Sequence, residues 1–144
     1  MSQHVFTYGS LMFAPVWERV VSGRYRSLAA ELSGYRRLAI VGESYPGIVD
    51  AKPGKVAGVL YCDVSAADLQ ALDDFEGSDY RRCSVAVTMP DGMPILAQTY
   101  VYLLPLRLAT HDWDPGAFPL ERFMATYCHD RLGDQVAPAP DLPV

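Results

Sequence analysis

The sequence predicts an α+β domain whose mostly antiparallel, strongly curved sheet forms a small barrel with flanking helices. Roughly six strand-like segments stand against roughly three helical ones, and the strands follow one another largely without helical crossovers. Half of the 144 residues are apolar and a fifth are charged. Such a composition is normal for a globular chain that buries a core, and it excludes a disordered one.

One domain is expected, because the chain shows neither an internal repeat nor a linker and has an ordinary single-domain length. We place this domain at residues 1–132. Residues 133–144 contain Pro138, Pro140 and Pro143 and are predicted to form a Pro-rich C-terminal tail.

The first half of the chain contains short strand candidates and one short helix. Val16–Val21 suits a helix, with Pro15 in its first turn and Gly23 closing it. Asp50–Lys55, which includes a Pro-Gly pair, is predicted to be a loop. The strand candidates are separated by glycine or proline: Val5–Tyr8, Tyr25–Leu32, Tyr35–Val41, Ile48–Val49 and Val56–Val64.

The second half contains the clearest helix and the clearest hairpin. Ser65 is a good helix cap, with an acid three residues later, and the helix is predicted to end at Glu76 before Gly77. The segments that follow are predicted in chain order as strand, turn, strand, irregular loop and helix: Arg82–Met89, Pro90–Met93, Ile95–Leu104, Pro105–Gly116 and a helix from Pro119.

Glu76 is the first candidate functional residue. With Leu69 at zero on a helical wheel, Leu72 lies at roughly 300° and Glu76 at roughly 340°, so the carboxylate falls on the apolar face. Asp74, at roughly 140°, points to solvent. A carboxylate on an inward face is costly to ionise, so we expect a raised pKa and a role as general acid/base. The alternative is that the helix ends one residue early and Glu76 caps a loop or pairs with Arg81.

The second candidate is the turn Tyr8-Gly9-Ser10-Leu11, directly after the first strand. A glycine at this point lets the backbone turn sharply and present consecutive N–H groups to an anion or a developing oxyanion. Such turns often only connect two elements, so the turn by itself is weak evidence for a site. It becomes a candidate because Glu76 is also predicted to point inward. The two features predict a small polar pocket.

Several other functional classes are disfavoured. There is no G-x-S-x-G elbow, no H-E-x-x-H motif and no phosphate-binding glycine loop. The three histidines are interpreted as surface residues, and Cys62, Cys83 and Cys128 as small buried hydrophobes without metal-site spacing. We therefore expect no metal and no cofactor. A net charge of −5 disfavours nucleic acid, and no segment approaches the ~20 apolar residues of a membrane helix. A cytoplasmic location is the default.

Several separated motifs resemble the gamma-glutamylcyclotransferase-like superfamily, in its AIG2-like branch. They occur in the family's order between residue 5 and about residue 104. The motifs are Phe6-Thr7-Tyr8-Gly9-Ser10-Leu11-Met12, Leu32-x-Gly34-Tyr35-Arg36, Tyr45-Pro46-Gly47-Ile48-Val49, Val56-x-Gly58-x-Leu60-Tyr61, Leu72-Asp73-x-Phe75-Glu76-Gly77-x-x-Tyr80-x-Arg82 and Ala97-x-x-Tyr100-Val101-Tyr102.

The resemblance implies a small mixed barrel with flanking helices that acts on a small-molecule gamma-glutamyl amine or amide. It implies that the loop Tyr8–Leu11 holds the glutamyl part through backbone groups and that Glu76 transfers the proton. The product would be 5-oxoproline, released together with the free amine. Tyr80, four residues after Glu76, is expected either to line the pocket or to be structural.

Other functions remain open from the sequence alone. The same fold can carry another gamma-glutamyl acyl transfer or a deprotection reaction, or the pocket can serve as a non-catalytic binding module. Neither the leaving amine nor the oligomeric state can be derived from the residues. The Pro105–Gly116 loop, with Trp113, either shapes the leaving-group side of the pocket or lies in solvent.

Overall fold

The computed structural model describes residues 3–128, and the side chains up to residue 126. In chain order the strands and helices are β1 (Gln3–Thr7), α1 (Ala14–Val20), β2 (Ser27–Ile40), β3 (Pro46–Val64), α2 (Ala66–Glu76), β4 (Tyr80–Thr88), β5 (Pro94–Tyr102), β6 (Leu108–Asp112) and α3 (Leu120–Phe123). A π-helical turn, Met124–Cys128, continues α3. The expected domain boundary at 132 and the tail 133–144 lie outside the described residues.

Five strands close into a barrel. The strand order is β3-β1-β5-β4-β2, and β2 pairs again with β3, which joins the two ends of the sheet. Among the described strands of the barrel, β1 and β5 pair in parallel, whereas the other pairings are antiparallel. The α+β fold with a mixed, mostly antiparallel barrel and flanking helices is therefore confirmed. No described helix has the length and apolar character needed to cross a membrane.

The long hairpin of β2 and β3 differs from the prediction of several short strands. Gly34 does not end a strand: its φ of +86° accommodates a bulge between Ser33 and Tyr35, after which the pairing resumes. Asp50–Lys55, predicted to be a loop, is part of β3 and pairs with the middle of β2. The prediction was wrong because ladder hydrogen bonds to a neighbouring strand outweighed the local turn preference of a Pro-Gly pair.

Helix α2 has the predicted boundaries and the predicted inward face. The Ser65 hydroxyl accepts a hydrogen bond from the Asp68 N–H, and Gly77 closes the helix with a φ of +79°. Leu69, Leu72 and Phe75 are buried. Asp68 itself does not return to the cap, since its carboxylate accepts hydrogen bonds from the α1–β2 connection.

The segment Pro105–Gly116 is more regular than expected. It contains β6, whose Ile40↔Leu108 and Leu38↔Asp112 pairings add it to the edge of β2, and 3-10 turns before and after. Trp113 is buried, because its ring packs against Phe118. The prediction of an irregular loop was wrong, since β2 offers this segment a free strand edge that no local pattern reveals.

Successive residues of β1 send their side chains to two separate cores. Val5 packs into a cluster between the barrel and the helices, with Trp17, Leu72 and Phe75. Phe6 points into the barrel interior, as expected from the two-residue period of a strand. Cys62 is buried as predicted, but Cys83 is only half-buried, and the Cys128 side chain lies outside the described residues.

Candidate functional site

A cleft opens where the carboxyl end of β1, the start of β3 and the end of α2 meet. The space between its walls is about 430 Å³, including solvent at its mouth. The cavity itself measures only about 30 Å³, so the cleft is narrow. The lining residues come from almost every part of the fold: Phe6, Thr7, Tyr8, Gly9, Ser10, Leu11, Tyr45, Pro46, Phe75, Glu76, Tyr80, Tyr100 and Phe123. The structure thus brings together all six residues that the sequence singled out.

The turn that follows β1 forms one wall of the cleft. Its residues Ser10–Met12 make a single 3-10 turn, closed by hydrogen bonds from Met12 and Phe13 to the carbonyls of Gly9 and Ser10. The N–H groups of Gly9, Ser10 and Leu11 donate to no protein atom in the described part of the chain. These donors are therefore available to a ligand.

Gly9 is required by close packing against the opposite wall. A Cβ at this position would lie 2.8 Å from Cδ of Pro46. Any side chain would therefore push the turn away from Tyr45 and Pro46, which line the same cleft. The glycine keeps the cleft narrow.

Glu76 is the last residue of α2, and its half-buried side chain lines the cleft. On the opposite side of the helix, Asp74 is exposed and accepts a hydrogen bond from Gln70 at 3.0 Å. The helical-wheel assignment of the two carboxylates is therefore correct. Because the helix includes Glu76, the alternative of an earlier helix end is wrong. The raised pKa of Glu76 stays a prediction.

The negative charge of Glu76 acts on two tyrosines of the cleft. Burial, followed by the charge of Glu76, raises the pKa of Tyr8 well above its ordinary value, although a hydrogen bond to the Ile48 backbone opposes the shift. Burial also raises the pKa of Tyr100, and a hydrogen bond to Asp73 and the charge of Glu76 add to it. Both phenols therefore remain protonated near neutral pH and act as hydrogen-bond donors.

The hydroxyls of these tyrosines are held in place. The Tyr8 hydroxyl donates to the Tyr100 carbonyl, across a sequence separation of 92 residues. The Tyr100 hydroxyl donates to Asp73 Oδ1 at 2.7 Å, and Arg82 Nε donates to the same oxygen at 2.9 Å. Arg82 is thus paired with a carboxylate. Asp73 lies three residues before Glu76 and therefore on the same side of α2.

Tyr80 lines the cleft with its ring, and its hydroxyl donates to the Pro46 carbonyl at 2.8 Å. It therefore combines the two roles that the sequence left open. Trp113 is not among the lining residues, and its indole N–H donates to the Ser44 carbonyl at 2.7 Å. Trp113 is buried behind the wall of the cleft, whereas most of the segment around it is exposed.

The sequence reasoning missed part of the cleft. No role was assigned to three lining residues that lie in the family motifs, Tyr45, Pro46 and Tyr100. The two aromatic residues that form part of the wall, Phe75 and Phe123, were interpreted as ordinary core. The spacing of three residues places Asp73 on the same side of the helix as Glu76. This spacing was the one sign in the sequence that Asp73 faces the side of the helix where Tyr100 lies. Among the described residues, no group of three or more histidines, cysteines and carboxylates could hold a metal ion.

Comparisons with known proteins bear on the family and fold of this chain. Residues 5–115 match the family model described as gamma-glutamyl cyclotransferase, AIG2-like. Protein AIG2 C of Arabidopsis thaliana is 36% identical over 103 residues, which are 71% of this chain and 62% of that protein. AIG2-like protein D of the same plant is 34% identical over 99 residues, covering 69% and 65%. The chain thus spans less than two thirds of the length of these curated relatives.

Solved structures share the fold. A solution structure from Arabidopsis thaliana superposes with a TM-score of 0.70 at 31% identity, covering 87% of this chain and 79% of that one. A gamma-glutamyl cyclotransferase superposes with a TM-score of 0.62 over 98% of this chain and 91% of its own, at 17% identity. The second likeness shows the fold alone.

Proposed function

Since the chain belongs to the AIG2-like gamma-glutamyl cyclotransferase family, we propose that it cyclises a gamma-glutamyl amine or amide to 5-oxoproline and releases the free amine. The observation that carries this proposal is the meeting of Glu76 and the Tyr8–Leu11 turn in one narrow cleft. Chemically, such a cleft combines a carboxylate that can transfer a proton with backbone N–H groups that can donate to an anion.

The reaction needs no nucleophile from the protein. The α-amine of the substrate attacks its own γ-carbonyl carbon, a C–N bond to that carbon forms, and the bond to the leaving amine breaks. The α-ammonium nitrogen loses two protons as it becomes the lactam N–H, and the leaving nitrogen gains two as the amine departs in its ammonium form, so the reaction is redox-neutral and balanced. Because the attack is intramolecular, holding the substrate in a folded conformer removes much of the entropic barrier.

Glu76 is proposed as the general acid/base. Its carboxylate accepts a proton from the α-nitrogen and passes it to the departing nitrogen. The second proton reaches the released amine through solvent. Partial burial of its side chain disfavours the ionised form of Glu76. A raised pKa would bring this carboxyl nearer to the working pH, where it can perform both steps.

The turn Tyr8–Leu11 is proposed to bind the glutamyl part. The N–H groups of Gly9, Ser10 and Leu11 suit either the oxyanion that develops on the γ-carbonyl oxygen or the α-carboxylate. Tyr80 contributes its ring to the wall, because its hydroxyl is engaged with Pro46. The substrate is a small molecule, and the site needs neither a metal nor a cofactor for these steps.

The test compares the wild type with Glu76→Gln on gamma-glutamyl amines, gamma-glutamyl amino acids and glutathione, with 5-oxoproline followed by mass spectrometry. The glutamine keeps the shape and polarity of the side chain but cannot transfer the proton. We expect kcat/KM to fall by a factor of ~10² or more. The panel also shows which leaving amine is accepted.

The matched control is Asp74→Asn, two residues away on the same helix but exposed. It removes the same charge from α2 and should leave turnover unchanged. Equal activity of Glu76→Gln and the wild type would refute the role of Glu76. A wild type that releases no 5-oxoproline from any member of the panel would refute the cyclotransferase proposal. A different product would point to another gamma-glutamyl transfer, and ligand binding without turnover to a binding module.

A further inference from the structure

Arg37 approaches the proposed substrate-binding turn from behind. It lies on β2, half-buried, and its Nη1 donates to the Tyr8 carbonyl at 2.9 Å and to the Ala57 carbonyl at 3.2 Å. The β1–β3 ladder ends at the pair Thr7↔Val59, so Tyr8 is the first residue past it. The guanidinium therefore holds β1 and β3 together where their backbone hydrogen bonds stop.

The same guanidinium is fixed by a second contact. Its carbon lies 5.3 Å from the centre of the Trp113 ring, a cation–π distance. Trp113 in turn donates to the Ser44 carbonyl, one residue before Tyr45 and Pro46. Arg37 and Trp113 thus support both walls of the cleft, since Pro46 is also the residue against which Gly9 packs.

The Tyr8 carbonyl and the Gly9 N–H belong to one peptide group. The only cis bond among the described residues is Lys52–Pro53, so this peptide is trans and planar, and its N–H points opposite to its carbonyl. With Arg37 on the carbonyl side, the N–H points away from Arg37, and Gly9 lines the cleft. A cationic donor on the carbonyl withdraws electron density from the peptide, so the N–H becomes a stronger donor.

We propose that Arg37 is a positioning residue, which orients the Tyr8–Gly9 peptide and polarises it so that the Gly9 N–H is a strong donor to the negatively charged part of the substrate or transition state. The part of this inference that concerns turnover rests on the proposed function. The effect on the Gly9 amide is a property of the protein without substrate.

The neighbouring charges do not offer another role for Arg37. Arg36 is paired with Asp112 at 2.8 Å and Lys55 lies 3.9 Å from Glu31. Burial lowers the pKa of Arg37 and the charge of Asp112 opposes this, but a guanidinium stays protonated in proteins. The positive charges of Arg36 and Lys55 are therefore largely offset by Asp112 and Glu31, which disfavours an anion site beside Arg37. The guanidinium of Arg37 is instead engaged by the two carbonyl groups.

The first measurement is the amide proton shift of Gly9 by NMR on the full chain. We expect an upfield shift in Arg37→Gln and Arg37→Met relative to the wild type, because the cationic donor is lost. Arg37→Lys, which restores the charge, should bring the resonance part of the way back. The control Arg36→Met removes an exposed neighbouring guanidinium and should not move it. An unchanged Gly9 resonance in every folded Arg37 variant would overturn the proposal.

The second measurement separates kcat from KM on the best substrate. A donor to the oxyanion would make Arg37→Gln lower kcat by roughly tenfold with little change in KM, less than the ~10²-fold expected when an oxyanion donor is removed outright. A donor to the α-carboxylate would instead raise KM. Either pattern, with partial recovery in Arg37→Lys, supports the inference, whereas kcat and KM within twofold of the wild type overturn it. If the wild type shows no turnover, the proposed function fails, and the Gly9 shift still decides the role of Arg37.

Discussion

At the scale of single residues, the cleft depends on a partly exposed hydrogen-bond network around Asp73. Its Oδ1 accepts from both the Tyr100 hydroxyl and Arg82, and Arg82 also donates to Gln98 at 3.1 Å. The carboxylate of Asp73 is thereby neutralised by named partners one turn before Glu76. Because a partly buried charge without partners is costly, the network is expected to contribute to stability as well as to the shape of the cleft.

Tyr100→Phe tests this network. The ring that lines the cleft is retained, but Asp73 loses a hydrogen bond to a charged group, so we expect the free energy of unfolding to fall by about 1.5–3 kcal/mol. The measurement is urea unfolding followed by circular dichroism. The control is Tyr35→Phe, which removes a phenol hydroxyl from a ring that packs against the barrel-interior core rather than the core that contains Tyr100. Equal stability of the two variants would mean that the Asp73 contact contributes nothing.

At the scale of elements, α2 is positioned by Asp68 as well as by its apolar face. This buried carboxylate accepts from the N–H groups of Ser22 and Gly23, both at 2.9 Å, and from the Tyr25 hydroxyl at 2.6 Å. It ties the α1–β2 connection to the start of the helix that carries Glu76 at its other end. Burial acts to raise the pKa of Asp68, but the hydrogen bonds from Tyr25, Ser22 and Gly23 outweigh it and lower the pKa below 3.8.

The lowered pKa predicts a pH dependence of stability. The contribution of Asp68 is fully present above the pKa of the unfolded chain and is lost as pH falls through the lower pKa of the folded state. Asp68→Asn should therefore destabilise the protein by about 1.5–3 kcal/mol at pH 7, and the difference from the wild type should shrink below about pH 4. Thermal unfolding across this range measures it. A difference that stays constant down to pH 2 would contradict the assignment.

At the scale of the whole molecule, the cleft exists because the barrel closes tightly around β1. Gly58 on β3 faces this closure: a Cβ there would overlap the Thr7 carbonyl and lie 2.7 Å from Phe6 Cζ. These neighbours are backbone and buried core, which cannot move aside without disturbing the pairing of β1 with β3. The position of the turn after Thr7 thus depends on a glycine from a distant part of the chain.

Gly58→Ala tests whether tight packing of the barrel requires a glycine at this position, as distinct from a glycine that is needed only for its backbone conformation. We expect a loss of more than about 3 kcal/mol in the free energy of unfolding, since a methyl group is forced into a filled space. Gly92→Ala is the comparison, because a Cβ there meets nothing within 4 Å and the residue only has a φ of +87°. It should lose about 1–2 kcal/mol. A smaller loss at Gly58 than at Gly92, measured by chemical denaturation, would show that the barrel tolerates expansion.

The sequence by itself determined the features that depend on near neighbours. Helix α2 with its Ser65 and Gly77 caps, the inward direction of Glu76, the β4–β5 hairpin and the turn after Tyr8 all follow from periodicities and turn preferences within a few residues. For these features the predicted and observed structures agree.

Only the tertiary structure decided what distant segments do to one another. It kept β2 and β3 continuous through Gly34 and the Pro-Gly pair, added β6 to the edge of β2, and brought Arg37 to Tyr8 across 29 residues and Tyr100 to Asp73 across 27. Strand pairing and buried hydrogen bonds draw their free energy from partners that are remote in the chain, so no local pattern contains them. The candidate catalytic residue, Glu76, could be identified from the sequence. The long-range contacts of Arg37 and of Tyr100 with Asp73, which support its cleft, could not.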